Sequence, residues 1–205
     1  ALADALGAAP GASGSAPDAR TPQPDGPLTP ASVGAVIAHA QPEGAIVVDE
    51  AATSGLPYFL AATGAPPHTY LSLTGGAIGQ GLPCATGAAI ACPDRPVIAF
   101  QADGSGMYTL QSLWTQAREG LAVTTLICAN RSYRILEIEL ARAGIAEPGP
   151  KARSLTDLSR PEIDWVRLAE AQGVPAVRPE STEAFARALA RALGEPGPHL
   201  IELVL

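Results

Sequence analysis

The sequence predicts an α/β domain, a doubly wound and mostly parallel sheet covered by helices on both faces in three layers. Two apolar runs, residues 97–100 and 123–128, have the unbroken hydrophobic character of strands buried on both faces. Helical segments alternate with such runs along the chain, the order that gives parallel pairing. At 205 residues, and with a Pro- and Gly-rich start set aside, the remainder has the size of one domain with its own core.

Residues 1–28 are rich in Ala, Gly, Ser and Pro, with Pro10, Pro17, Pro22, Pro24 and Pro27 in close succession, and read as an interdomain linker. The chain opens on Ala1-Leu2-Ala3-Asp4-Ala5-Leu6 without an initiating Met, which reads as the tail of a helix from a preceding domain, and so as the C-terminal piece of a longer protein. The folded domain is residues 29–205. Thr29 and Pro30 mark the cap and first turn of a helix over 29–40, followed by a strand at 45–48. A small-residue helix covers 79–91. Strand 97–100, helix 108–118, strand 123–128 and helix 133–143 follow. Residues 144–160, with several Pro, Gly and Ser, read as a long loop and candidate lid. Helix 161–172, strand 174–177, helix 181–193 and strand 200–204 complete the pattern; Phe185, Leu189 and Leu193 form one stripe, and Gly194 stops that helix.

Net charge is −7, with no Lys/Arg cluster and no interleaving of aromatic and basic residues, which argues against nucleic acid or anionic membranes as partners. Cys84, Cys92 and Cys128 sit in apolar contexts without CxxC spacing, as buried free thiols of a cytoplasmic protein do. No apolar run is long enough to span a membrane. His39, His68 and His199 are scattered and share no metal-ligand spacing, so they read as structural or surface residues.

The chemistry concentrates at two strand ends. The run 97–100 leads into Ala102-Asp103-Gly104-Ser105, and about two dozen residues later the run 123–128 leads into Ala129-Asn130-Arg131-Ser132-Tyr133. Asp103 and Asn130 are hard oxygen donors, and on neighbouring strands they make a cage for Mg²⁺, an ion that completes its shell with water and phosphate oxygens. Gly104, Ser105 and Gly106 lie between a strand and a helix, where backbone amides can face a diphosphate and Ser105 adds a hydroxyl. Either piece alone is an ordinary turn; both together, each after an apolar strand, point to a metal-phosphate site. Asp49-Glu50, at the end of the first strand, read as structural or loop-positioning acids.

At these residues the chain resembles the diphosphate-binding domain of thiamine diphosphate enzymes, whose signature is GDG, about two dozen residues, then NN. Thr74-Gly75-Gly76-Ala77-Ile78-Gly79-Gln80-Gly81-Leu82-Pro83 is similar to a GGxGxxLPAAxGAA segment of acetolactate synthases and benzoylformate decarboxylases, and the similarity runs from about Thr29 to Leu205. The resemblance implies a thiamine diphosphate-binding fold, with thiamine diphosphate and Mg²⁺ as cofactors. It implies Asp103, Asn130 and the main chain of Ser132 as metal ligands. Thr53, Gly76, Ala77, Ile78, Gly104, Ser105 and Tyr133 fall at the cofactor. Thr53 is equally an N-cap, Ile78 equally a core residue, and Tyr133 lines the phosphate pocket or packs.

Two positions depart from the pattern: Ala102 stands for the first Gly of GDG and Ala129 for the first Asn of NN. Loss of that Asn removes a supporting contact and leaves Asn130 in the liganding place. Leu136, six residues beyond Asn130, stands where some family decarboxylases carry an acid; with Ile135 it suits an apolar substrate pocket. The implied activity is that of a 2-oxo acid decarboxylase or carboligase acting on a small 2-oxo acid. The activating Glu belongs to a separate pyrimidine-binding domain of the same protein or of a partner subunit, so no catalytic residue is assigned here. The implied assembly is a homodimer or homotetramer. The competing readings are a degenerate, non-catalytic cofactor-binding module, motivated by Ala102 and Ala129, and a flavodoxin-like or dinucleotide-binding domain, for which no GxGxxG follows the first strand.

Overall fold

Six strands pair in the order β2-β1-β3-β4-β6-β5, all parallel: β1 is Ile46–Glu50, β2 Thr69–Ser72, β3 Val97–Ala102, β4 Val123–Ala129, β5 Ala176–Val177 and β6 His199–Val204. This is the arrangement in a computed structural model that describes Gly7 and residues 20–205. The helix tail expected at the start of the chain, and most of the expected linker, lie outside the described residues. Residues 20–28 are bonded to the domain: Thr21 Oγ1 donates to Ala61 O at 2.7 Å, Gly26 O accepts Thr182 N at 3.0 Å, and Leu28 packs on the core.

Alternation along the strands builds two cores. Val47, Ile98, Phe100, Leu126 and Ile201 face α1 (Pro30–Ala40) and α9 (Thr182–Gly194), meeting Val33, Ile37, Phe185 and Leu189. On the other face Ile46, Val48, Val97 and Ala99 meet Leu82 and Ala85 of α3 (Gly81–Ala91). Further along that face Ile127 and Leu200 meet Leu113 of α5 (Ser112–Glu119) and Trp165 of α8 (Trp165–Ala171). The sheet is thus the middle of three layers, and each fully buried Leu, Ile or Phe contributes about 1.5–3 kcal/mol.

Local signals set the helix ends. Thr29 and Ser32 form a reciprocal capping box around Pro30, with Ser32 N donating to Thr29 Oγ1 at 3.1 Å and Thr29 N to Ser32 Oγ at 2.9 Å. Ser181 Oγ accepts Ala184 N at 3.2 Å at the start of α9. Gly34 lets α1 touch α2 (Gly55–Ala61), since a Cβ there would lie 2.6 Å from Tyr58 N.

The structure corrects several boundaries. β1 runs on through Asp49 and Glu50. β2 is an additional strand, and α2 an additional helix after a 3₁₀ turn at Ala52–Ser54. The helix expected at 108–118 begins only at Ser112, as α5, and a separate single turn, α4 (Asp103–Gly106), precedes it. The helix expected from 133 is α6 (Arg134–Arg142). Residues 144–160 are not a bare loop: Pro150 opens α7 (Pro150–Thr156).

Candidate metal and cofactor site

In a doubly wound sheet the crevice lies outside the carboxyl ends of the strands, where the strand order reverses. Here β1 lies between β2 and β3, so the reversal falls beside Glu50, Asp103 and Asn130. A cleft of about 450 Å³ opens there, lined among others by Thr53, Gly76, Ile78, Asp103, Asn130 and Tyr133.

Register brings the donors together. Ala102 pairs with Cys128 in the β3–β4 ladder, so the residues that follow each strand leave the sheet side by side. Asp103, 2 % exposed, accepts Gly104 N on Oδ1 at 2.9 Å and Arg131 N on Oδ2 at 2.7 Å. Asn130 Oδ1 accepts Ser132 N at 3.0 Å, a side-chain turn that fixes the carboxamide. Arg131 between them sits at φ 57°, a left-handed conformation unusual for a non-glycine residue. Ser132 Oγ donates to Glu137 at 2.6 Å, so its hydroxyl is committed and its main-chain carbonyl is what it can offer to a metal. Tyr133 N→Thr156 O at 2.9 Å and Leu158 N→Arg131 O at 2.8 Å strap this turn to residues 156–158, where the segment 150–156 ends.

The donor set fits a hard divalent cation: a carboxylate, a carboxamide oxygen and a peptide carbonyl on adjacent strand ends. Asp103 has no salt-bridge partner among the described residues, and burial raises its pKa, opposed by the amides of Arg131 and Gly104. No cluster of three His, Cys, Asp or Glu that could hold a metal occurs among the described residues.

The other expected residues divide. Thr53 lines the cleft from the 3₁₀ turn and caps no helix: the residue preceding α2 is Ser54, whose side chain makes no cap bond. Ile78 is 45 % exposed on the cleft wall, which removes it from the core. Gly76, at φ 71°, and Gly104 line the cleft too. Ala77 lies in the same turn as Gly76, its amide donating to Thr74 O at 3.1 Å, but does not line the cleft. Ser105 lines it, while its Oγ is taken up by Ala102 N at 3.3 Å, Ala102 O at 3.2 Å and Glu50 O at 3.4 Å. Tyr133 both lines the cleft and packs on Gly104. Ile135 and Leu136 are on the wall, as the sequence suggests.

Sequence reasoning missed Leu73, Tyr108, Arg134 and Leu155, which also line the cleft. Tyr108 follows the phosphate turn closely enough to be found by spacing. Leu155 arrives from α7, in a stretch whose composition signalled only a loop.

Fold and cleft together define a parallel α/β domain with oxygen donors gathered at a strand-order reversal. Residues 54–203 match the family described as thiamine pyrophosphate enzyme, C-terminal TPP binding domain, and the chain belongs to that family. It is 53 % identical over 207 residues to a Mycobacterium tuberculosis (strain H37Rv) protein provisionally named acetolactate synthase large subunit IlvX, covering 100 % of this chain and 40 % of that protein. It is 33 % identical to benzoylformate decarboxylase of Pseudomonas aeruginosa, covering 87 % of this chain and 32 % of that protein. The Rhodococcus jostii RHA1 thiamine diphosphate-dependent 4-hydroxybenzoylformate decarboxylase superposes with a TM-score of 0.76 at 32 % identity, covering 86 % of this chain and 32 % of that one. The chain therefore spans between about a third and two fifths of the length of these relatives.

Proposed function

We propose that this chain is the diphosphate-binding domain of a thiamine diphosphate- and Mg²⁺-dependent 2-oxo acid decarboxylase or carboligase. One observation carries the reading: the Asp103 carboxylate lies against the Asn130–Ser132 turn, held there by Arg131 N at 2.7 Å, at the reversal of strand order. Asp103, Asn130 and the Ser132 carbonyl would hold Mg²⁺. Thr53 and the backbone of Gly104 and Ser105 would face the diphosphate, with Gly76 and Ile78 lining the same cleft.

Bound thiamine diphosphate supplies an electron sink that lets a bond beside a ketone carbon break or form. The residues of this chain bind, orient and exclude water. Ile78, Ile135, Leu136 and Leu155 give the cleft an apolar wall, which favours loss of a charged carboxylate as neutral CO₂. No residue of the cleft is assigned a proton transfer. That work falls to a pyrimidine-binding domain, of the same protein or of a partner subunit in a homodimer or homotetramer; the share of the relatives that this chain spans, and the half-exposed apolar rim at Ile78, Tyr108 and Leu136, support the reading. The free thiols Cys84, Cys92 and Cys128 suit the cytoplasm. Among the described residues no helix is long and apolar enough to cross a membrane.

The test is calorimetric titration of thiamine diphosphate into the full-length protein, with and without Mg²⁺. Wild type binds only with the metal. Because supporting residues alone are worth about 10–100-fold in metal affinity, loss of the ligand Asp103→Ala weakens binding by more than about 100-fold. Undiminished affinity in that variant removes Asp103 from the site.

A further inference from the structure

We propose that Glu50 is a positioning residue that locks the two halves of the cleft to each other; the proposal rests on the cofactor reading above. Glu50 ends β1 and is 2 % exposed. It has no salt-bridge partner among the described residues. Its carboxylate is instead spent on backbone: Oε1 accepts Gly79 N, and Oε2 accepts Gly81 N at 2.5 Å. Its own main-chain carbonyl accepts Ser105 Oγ at 3.4 Å. One residue thus holds the 74–81 segment by its side chain and the Asp103–Gly106 turn by its backbone.

A buried carboxylate without a cation is costly, and only charge-assisted hydrogen bonds offset it. The segment it holds needs such an anchor. Gly75, Gly76 and Gly79 sit at φ 60°, 71° and 88°, a run of residues whose freedom in the unbound loop is large. Thr109 Oγ1 grips the same loop from the other side, donating to Gly79 O at 2.9 Å. At the second anchor point the fit is close: a Cβ on Gly81 would lie 1.9 Å from Gln101 Nε2 and 2.6 Å from Glu50 Oε2. Gly76 and Ile78 ride on this segment, while Asp103 and Ser105 ride on the other half. Without the clamp, Gly76 and Ile78 are tied to the metal-phosphate end through the Thr109 bond and held less closely to it.

The clamp acts on a ligand that spans both halves and leaves one that occupies a single half. The experiment titrates full-length wild type and Glu50→Gln with thiamine diphosphate and, separately, with inorganic diphosphate, both with Mg²⁺. Gln keeps one acceptor oxygen and turns an NH₂ group against the second amide. The expected result is a Kd for thiamine diphosphate raised about tenfold or more, since hydrogen bonds to a charged group are among the strong ones. The Kd for inorganic diphosphate stays within about twofold, as for independent sites. Equal losses for both ligands, the mark of a merely structural role, or no loss for either, overturn the clamp. Should Glu50→Gln fail to fold, Glu50→Asp, which keeps the charge but is one methylene too short to reach both amides, is read by the same outcomes. Wild type that binds neither ligand overturns the cofactor reading and the clamp with it, whereas binding by wild type with an unaffected variant overturns the clamp alone.

Discussion

The carboxylate of Asp103 accepts the main-chain amide of Arg131 at 2.7 Å, although the two stand 28 positions apart along the chain. That bond is what makes two turns into one site. It draws the loop after β4 over the end of β3, and Arg131 meets it in a left-handed conformation at φ 57°, which costs a non-glycine residue about 1–2 kcal/mol. The bond to a buried carboxylate offsets that strain. In return Asn130 and Ser132, on either side of Arg131, come to the same edge of the cleft as Asp103.

The packing of Tyr133 on Gly104 predicts a site variant that acts through shape. A Cβ on residue 104 would lie 2.4 Å from Tyr133 Cε1 and 3.2 Å from Leu158 Cδ1. Gly104→Ala is expected to destabilise by about 1–3 kcal/mol, the usual cost of overpacking, and to weaken cofactor binding by moving the ring. Tyr133→Ala in the same chain should restore part of the melting temperature. An unchanged melting temperature in Gly104→Ala alone would show that the ring yields freely.

Arg178 and Glu202 form a second, asymmetric pair at the far edge of the sheet. Glu202 is 1 % exposed while Arg178 is half-open to solvent, and its Nη2 lies 2.8 Å from Glu202 Oε2. Removing the cation leaves a buried charge unpaired. Arg178→Met is therefore expected to cost about 2 kcal/mol or more in denaturant titration, discounted from the cost at fully buried pairs because the Arg is partly screened. The double variant Arg178→Met with Glu202→Leu should recover most of it; no recovery would mean that the Arg stem, not the charge, stabilises this edge.

Glu183 predicts a pH dependence. Its carboxylate accepts Gly26 N at 3.0 Å, and that bond, with Ser181 and its own amide at the start of α9, holds its pKa down from 4.5 to about 2. A folded-state value below the unfolded one means stability that is present above about pH 4.5 and lost as pH falls toward about 2. Glu183→Gln should be less stable than wild type at neutral pH and converge with it near the acid end. Parallel stability curves across that range would show that the carboxylate contributes nothing by its charge.

The donor pair at the two strand ends is easier to see in the sequence than the edges of the sheet. Asp103 and Asn130 stand out because each polar donor ends an apolar run, and the run is what a buried strand must be. Ile78 could not be placed, because an apolar side chain carries no mark that separates a core from the wall of a cleft; only its exposure does. β2 was invisible. Thr69–Ser72 is four residues long at the edge of the sheet, half exposed, and follows Pro66 and Pro67. α7 was hidden for a different reason: the Pro that reads as a breaker stands at its first position, where the missing N–H costs nothing. The sequence suggests a structural or loop-positioning role for Glu50, but its partners, two glycine amides about thirty positions away, belong to the tertiary structure alone.

The β3–β4 ladder, with Ala102 opposite Cys128, has a consequence for how such domains can vary. Strand pairing is discrete: a residue inserted within β4 reverses every side chain beyond it, burying polar groups and turning the site outward. The short turn between α5 and β4 obeys no such rule, because loop length changes closure entropy only slowly. Residues 120–122 can therefore lengthen or shorten without separating Asp103 from Asn130, whereas α5 itself is held by Leu113 in the core. The interval between the two residues along the chain is elastic, while their separation in space is held by the ladder.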